Sequence, residues 1–303
     1  MKTIKFLSLC FIIILTSCQT QQEHDNLDTP TSGNLTIYAD RGLDKLIENQ
    51  TYTFSQIYNL AKFKTIYSSE QEAIKALYDN TCKVIALNRA LSKDEEGRFK
   101  DANIFLSTSL VGKSAIVLIV NKDAMDTTIN MDNLQNIISG DTTNSYYNSI
   151  VFENEKSSAA TYCKDSLTQG KALGKSCYAV KNVNELLNLI ITNKKSIGFI
   201  DYSWISDSDD SLAKSIKSKC KIIAVAAKGN KTAYYPDQSN IQTDDYPLTR
   251  RVYLMRRGQD FSLAAGFITF VAGPKGQVML LKTGFAPWRQ PERMISIDMK
   301  PIN

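Results

Sequence analysis

The sequence predicts an α/β fold organised around mixed, mostly parallel β-sheets, and three observations carry that prediction. Short apolar runs alternate along the chain with segments whose apolar residues recur at helical spacing. Alternation of short buried strands with helices implies a parallel sheet covered on both faces. Capping-box pairs (Ser69 with Glu72, Ser92 with Glu95, Asn182 with Glu185) stand at the start of three of the helical segments. From Gly33 onward about 270 residues remain, enough for two compact domains or one large one.

Taken in order, Leu35–Tyr38 reads as the first strand and runs through Ala39-Asp40-Arg41-Gly42 into a helix carrying Leu43, Leu46 and Ile47. Phe63–Tyr67 is the second strand, followed by a helix with Ala73, Ile74 and Leu77 on one face. Val84–Leu87 is the third, ending in Asn88-Arg89-Ala90-Leu91 before the Ser92 cap. Leu110–Val120 is long enough to pass between two domains, with its strand at Ala115–Val120. A helix over Asn130–Ser139 is stopped by Gly140, which tolerates the left-handed conformation of a helix end. Val151-Phe152 is a short strand, and Ser157-Ser158 opens a helix running through Leu167. Asn182–Ile191 is the next helix, while Ile197–Ile200 and Ile222–Ala226 are buried strands. Tyr246-Pro247-Leu248-Thr249-Arg250 leads into a Val252–Met255 strand, a second candidate crossover. Two terminal helices, Phe261–Val271 and Lys275–Leu281, are separated by Gly273-Pro274, and Gly284 ends the second.

The N-terminus reads as an export signal. Lys2 and Lys5 precede a short apolar run ending in Leu15-Thr16-Ser17-Cys18, and the run is shorter than the ~20 residues a bilayer core requires. A small residue directly before cysteine resembles the bacterial lipoprotein box, which implies cleavage before Cys18 and lipidation of its sulfur. Residues 1–17 are then the signal peptide and 18–32 a lipidated, polar tether, so the protein is expected to face the periplasm or exterior from a membrane anchor. Removing residues 1–17 takes away two lysines and no acid, leaving 34 basic and 31 acidic side chains and a net charge of +3. That mild balance, without a basic block, argues against nucleic acid as a partner.

With Cys10 lost with the signal and Cys18 consumed by lipid, four cysteines remain: Cys82, Cys163, Cys177 and Cys220. An oxidising compartment permits pairing, and Cys163 with Cys177 is the most local choice. The only histidine, His24, lies in the tether and no C-x-x-C occurs, so neither a metal site nor a cysteine nucleophile is indicated. No nucleophile elbow, phosphate-binding loop or dinucleotide fingerprint is present. Neither an enzymatic activity nor a cofactor is expected.

Anion capture is the chemistry the turns suggest. Ala39-Asp40-Arg41-Gly42, Asn88-Arg89 and Ser157-Ser158-Ala159 each join a strand to a helix start, where backbone N–H groups lack partners. Ser157 and Ser158 offer hydroxyl donors, with simple helix capping as the competing role. Arg89 offers a planar fork to an oxyanion, with a surface position or a pairing to Asp94 as the alternative. Asp40 either caps its own helix or accepts the proton of a protonated oxyanion. Gly42 either serves the site or relieves backbone crowding.

Over about Gly33 to Ile297 the chain resembles the substrate-binding lipoproteins of phosphate ABC transporters, in the form found in Bacteroides-like bacteria. The landmarks are Tyr38-Ala39-Asp40, Asn88-Arg89-Ala90-Leu91, the run Ala115–Lys122, Leu134–Gly140, and Ser157-Ser158 before Tyr162–Leu167. Ile197-Gly198-Phe199-Ile200, Tyr246–Arg250 and Phe270–Gln277 complete the series. The resemblance implies a two-lobe periplasmic binding protein-like fold with crossover strands, residues 33–112 and 248–303 forming one lobe and 113–247 the other. It further implies a monomer that closes on inorganic phosphate or a related small anion and delivers it to an ABC permease. Another oxyanion, a small organic anion, or a structural lipoprotein without a phosphate site are the alternatives. The three turns, Ala39–Gly42, Asn88-Arg89 and Ser157–Ala159, would line the cleft. The family commonly has serine near the position of Gly42, glycine or proline at that of Ala90, and a threonine with a nearby arginine after the later serine turn, where this chain has Ala159-Ala160-Thr161.

Overall fold

The computed structural model describes residues 28–143 and 145–290. The expected signal peptide, the expected lipidation site Cys18 and most of the expected tether lie outside the described residues. Among the described residues thirteen strands follow in chain order: β1 (Gly33–Asp40), β2 (Ala61–Ser68), β3 (Val84–Leu87), β4 (Leu106–Asn121), β5 (Thr128–Asn130), β6 (Ser149–Phe152), β7 (Cys177–Ala179), β8 (Ser196–Asp201), β9 (Cys220–Ile222), β10 (Ala224–Ala226), β11 (Ala233–Tyr234), β12 (Thr249–Arg257) and β13 (Ala286–Pro287). The main sheet runs β2-β1-β3-β12-β4-β8-β6-β7, with β13 and β9 also pairing with β4. Its two ends are parallel: β1 pairs in parallel with β2 and β3, and β6 with β7 and β8. Antiparallel pairs of β12 and β4 join them. The result is a two-lobe, mixed α/β architecture.

Sequence patterning explains how the lobes are joined. The last eleven residues of β4, Val111–Asn121, are all buried, Lys113 and Ser114 included, so one strand serves two cores without an exposed break. Its first part pairs with β12 and its last part with β8 and β9. One core is built from residues between Ala115 and Leu248, together with Ala286. The other two clusters draw on residues between Leu35 and Val111 and between Val252 and Phe285. The core therefore changes side within β4 and again at the start of β12.

The helix starts are set by short polar side chains. Ser69 and Ser92 each complete a capping box, with Glu72 and Glu95 reaching back to the cap N–H. Asn182 caps the helix Val183–Thr192, but Glu185 accepts from Lys181 N rather than from the cap. Gly140 takes φ 98° at the end of Met131–Ser139, a conformation costly for a residue with a Cβ.

Several expectations change. The helix opened by Ser158 is α-helical only to Tyr162 and then widens into a π turn over Cys163–Leu167. The run Ile222–Ala226 splits into β9 and β10, which pair with different strands. Strands β5, β7, β11 and β13 are too short to show a sequence period. Cys163 and Cys177 are free thiols. Cys163 is buried in the second-lobe core, and the Cys177 Sγ donates to the Ile138 carbonyl at 3.5 Å.

Candidate functional site

Both parallel arrays end at one cleft. In register, Asp40 lies beside Ser68, and Ala39 beside Ala86 two residues before Asn88. On the other side, Phe152 lies beside Phe199, so Glu153 and Asp201 leave adjacent strand ends. Carboxyl ends of parallel strands are where α/β folds place ligand crevices, because the following helix starts face the same way. Here the crevice is a cavity of about 400 Å³. Its floor includes Asp40, Gly42, Glu153, Ser157, Ser158 and Asp201, and its upper walls include Arg41, Tyr67, Lys156, Lys181 and Trp204.

A continuous hydrogen-bonded chain crosses the floor. Asp40 is 2% exposed, and its Oδ1 accepts from Gly42 N at 2.9 Å, Asn88 Nδ2 at 2.9 Å and Ser158 Oγ at 3.0 Å. Each of the three turns thus contributes one donor to one oxygen. Ser158 Oγ also accepts from Arg250 Nη1 at 2.8 Å, and Arg250 Nη2 donates to Asp201 Oδ1. On the far side Trp204 Nε1 donates to Glu153 Oε2 at 3.0 Å. Ser157 caps its helix through Ala160 N at 3.2 Å. Among the described residues, Asn88 Oδ1 and Arg250 Nε are buried without a hydrogen-bond partner.

The floor carries more acid than base. Asp40, Glu153 and Asp201 are all buried around one buried guanidinium, that of Arg250. Burial, reinforced by the Asp201 and Glu70 charges, pushes the Asp40 carboxyl up to about 7, against the opposing pull of Arg250 and the Gly42 N–H. Burial and then Asp201 push Glu153 to about 9. Burial works against the Arg250 charge, yet Asp201 and Asp40 hold its pKa above the ordinary value. Protons held by Asp40 and Glu153 lower the cost of keeping like charges together in a desolvated space.

Of the residues expected at the site, Asp40, Arg41, Gly42, Ser157 and Ser158 line the cavity, and Asn88 reaches it through Asp40. Ala39 and Ala159 are fully packed in the cores beneath. Arg89 stands apart: its Nε donates to Glu70 Oε2 at 2.9 Å, and its two terminal nitrogens donate to Glu95 at 2.7 and 2.9 Å. That guanidinium ties two helix starts together and does not line the cavity. Its partners are Glu70 and Glu95, not Asp94.

Arg250, Asp201, Glu153 and Trp204 were not singled out by sequence. A usable signal existed, since Asp40, Glu153 and Asp201 each stand at the end of a buried parallel strand. Gly42 has a direct structural reason. A Cβ built there would fall 2.3 Å from the Asp201 Cγ and 2.5 and 2.6 Å from its oxygens, so a side chain at position 42 requires this carboxylate to move. Among the described residues no group of three or more His, Cys, Asp or Glu has the arrangement to hold a metal ion.

Comparison with known proteins agrees with this fold. A family model described as a PBP superfamily domain matches residues 26–275. The chain belongs to that superfamily. Its fold is shared with a phosphate ABC transporter substrate-binding protein with bound phosphate from Clostridium perfringens, at TM-score 0.68 and 16% identity, covering 85% of this chain and 100% of the other. An ABC-type phosphate transport receptor from Vibrio cholerae gives TM-score 0.66 and 15% identity, covering 84% and 100%. PstS from Borrelia burgdorferi gives TM-score 0.56 and 17% identity, covering 84% and 98%. At such identities the likeness is one of fold. No curated protein matches the sequence.

Proposed function

We propose that this superfamily member is an extracytoplasmic solute-binding lipoprotein, anchored through Cys18, that closes on a small protonated oxyanion of the phosphate class and hands it to an ABC permease. One observation carries the reading: a single carboxylate oxygen of Asp40 gathers a donor from each of three turns, two in one lobe and one in the other. Donors that converge on one oxyanion oxygen can serve another, and the Arg250 fork stands one hydrogen bond away. The phosphate-binding names of its fold neighbours support the ligand class.

Lobe closure is the mechanism this reading uses, with residues 33–112 and 248–303 in one lobe and 113–247 in the other. Ser158 Oγ bonds Asp40 across the cleft, and Lys156–Glu72 at 2.8 Å and Lys45–Asp210 at 2.7 Å bridge its outer parts. Closure excludes water, so each donor acts in a lower dielectric and strengthens its hold on an anion. A ligand proton matters because the floor carries carboxyls; a hydroxyl of the ligand donates to Asp40 where a bare anion is repelled. The chain acts as a monomer in this scheme.

A second reading, a binding-protein scaffold that takes no anion, is favoured by Asp201, which already fills the space against Gly42. Calorimetric titration of inorganic phosphate into wild type and Ser158→Ala separates the two. Losing a hydroxyl that contacts both Asp40 and Arg250 should weaken phosphate binding about tenfold, on the order of 1.4 kcal/mol. Absence of heat with phosphate, sulfate and phosphonates would support the scaffold.

A further inference from the structure

We propose that Asp201 is a built-in competitor for the anion, a carboxylate of the protein's own that holds Arg250 and fills the space over Gly42 until a ligand displaces it. The inference rests on the receptor reading and identifies the residue that sets how strong an oxyanion must be to enter. Three observations carry it. Asp201 is 1% exposed at the end of β8, where its neighbour across the sheet is Ile116 of β4, so backbone pairing fixes its origin. Its carboxylate packs so closely on Gly42 that no Cβ fits between them. It also takes one arm of the Arg250 fork, while the other arm holds Ser158.

A carboxylate and a phosphate oxygen pair ask for the same thing: a planar fork and a pair of backbone or hydroxyl donors. With Asp201 in place, Arg250 has one arm spent, and an incoming oxyanion also meets the Asp201 charge directly. Entry therefore requires the Asp201 side chain to rotate out, or a ligand whose own charge and protons outbid it at Arg250. Weakly basic anions fail this test, because they neither repay the broken Arg250–Asp201 pair nor bring a hydroxyl that donates to the neighbouring Asp40 carboxylate. A like charge placed against the unwanted ligand is a recognised way to build specificity.

Titrating inorganic phosphate and sulfate into purified wild type and Asp201→Asn tests this, with circular dichroism to confirm folding. Asparagine keeps the shape and an acceptor for Arg250 but removes the charge. The expected result is phosphate binding tighter by about tenfold or more in the variant, with sulfate gaining at least as much. Asp201→Ser, which removes the carboxylate and frees volume, should move both ligands the same way and serves if the asparagine variant misfolds. Wild-type binding that is unchanged or weaker in both variants overturns the competitor role and leaves the receptor reading intact. Folded wild type and variants that all ignore both anions overturn the receptor reading, and the inference with it.

Discussion

Arg89 and Arg250 both sit among carboxylates, yet one fastens helices and the other lies at the cleft floor. Arg89 is 28% exposed at its side chain, follows a strand in an obvious turn, and spends all its nitrogens on Glu70, Glu95 and a neighbouring carbonyl. Arg250 is 3% exposed, sits at the beginning of a strand, and divides its fork between the Asp201 carboxylate and the Ser158 hydroxyl. The difference teaches that a guanidinium after a strand is not a ligand site until its competing acids are counted. Glu95 is the third residue of its helix and already folds back to Ser92 N; from there it meets Arg89 without further cost.

The comparison breaks most visibly under mutation. Arg250→Leu leaves Asp201 buried beside Asp40 and Glu153 with no cation, and urea unfolding should show a loss of about 3–5 kcal/mol. Arg89→Ala should cost less, since Glu95 can turn to water, although Glu70 is 3% exposed and must then hold a proton. Equal losses would mean that the two environments differ only in name.

Acid and alkali sharpen the same contrast. Glu153 is raised from 4.5 to about 9 and Asp40 from 3.8 to about 7, so the folded protein holds extra protons between those limits. Stability contributed by such protons is fully present below the ordinary values and is lost as pH rises through the raised ones. With Asp201, Arg250 and Trp204 facing these two groups, the melting temperature should fall by several degrees between about pH 5 and about pH 9. Glu153→Gln should flatten the upper part of that profile; a profile unchanged by the substitution would remove the proton from the floor.

The outermost bridge should matter least. Lys156 and Glu72 are 69% and 51% exposed, so Lys156→Ala should change stability by no more than about 0.5 kcal/mol in ordinary salt. A larger change would mean that this pair, rather than the floor, holds the lobes together.

Much of the fold was legible because strands such as β3, β6 and β8 are buried on both faces and many of the helices are capped by local chemistry. Val84–Leu87 and the Ser69 and Ser92 boxes need only a few neighbouring residues to define them. The short strands β5, β7, β11 and β13 were not legible, because tertiary pairing rather than pattern makes them. At the site, sequence found the turns carrying Asp40, Gly42 and Ser158, since each belongs to a strand-to-helix junction. It gave Arg89 a direction that Glu70 and Glu95 override. Arg250 and Asp201 were visible only as ends of apolar strands, and nothing local says that residues 49 positions apart will share a proton-rich floor. The glycine at position 42 became intelligible only with Asp201 lying against it.

The most direct measurement is a side-by-side calorimetric titration of inorganic phosphate into wild type, Arg89→Ala and Arg250→Lys. Lysine keeps the charge of Arg250 but cannot reach Asp201 and Ser158 with one planar fork. Retained binding in Arg89→Ala with loss in Arg250→Lys is the predicted result. Loss in Arg89→Ala with binding retained in Arg250→Lys would contradict the assignment of the cleft floor as the anion site.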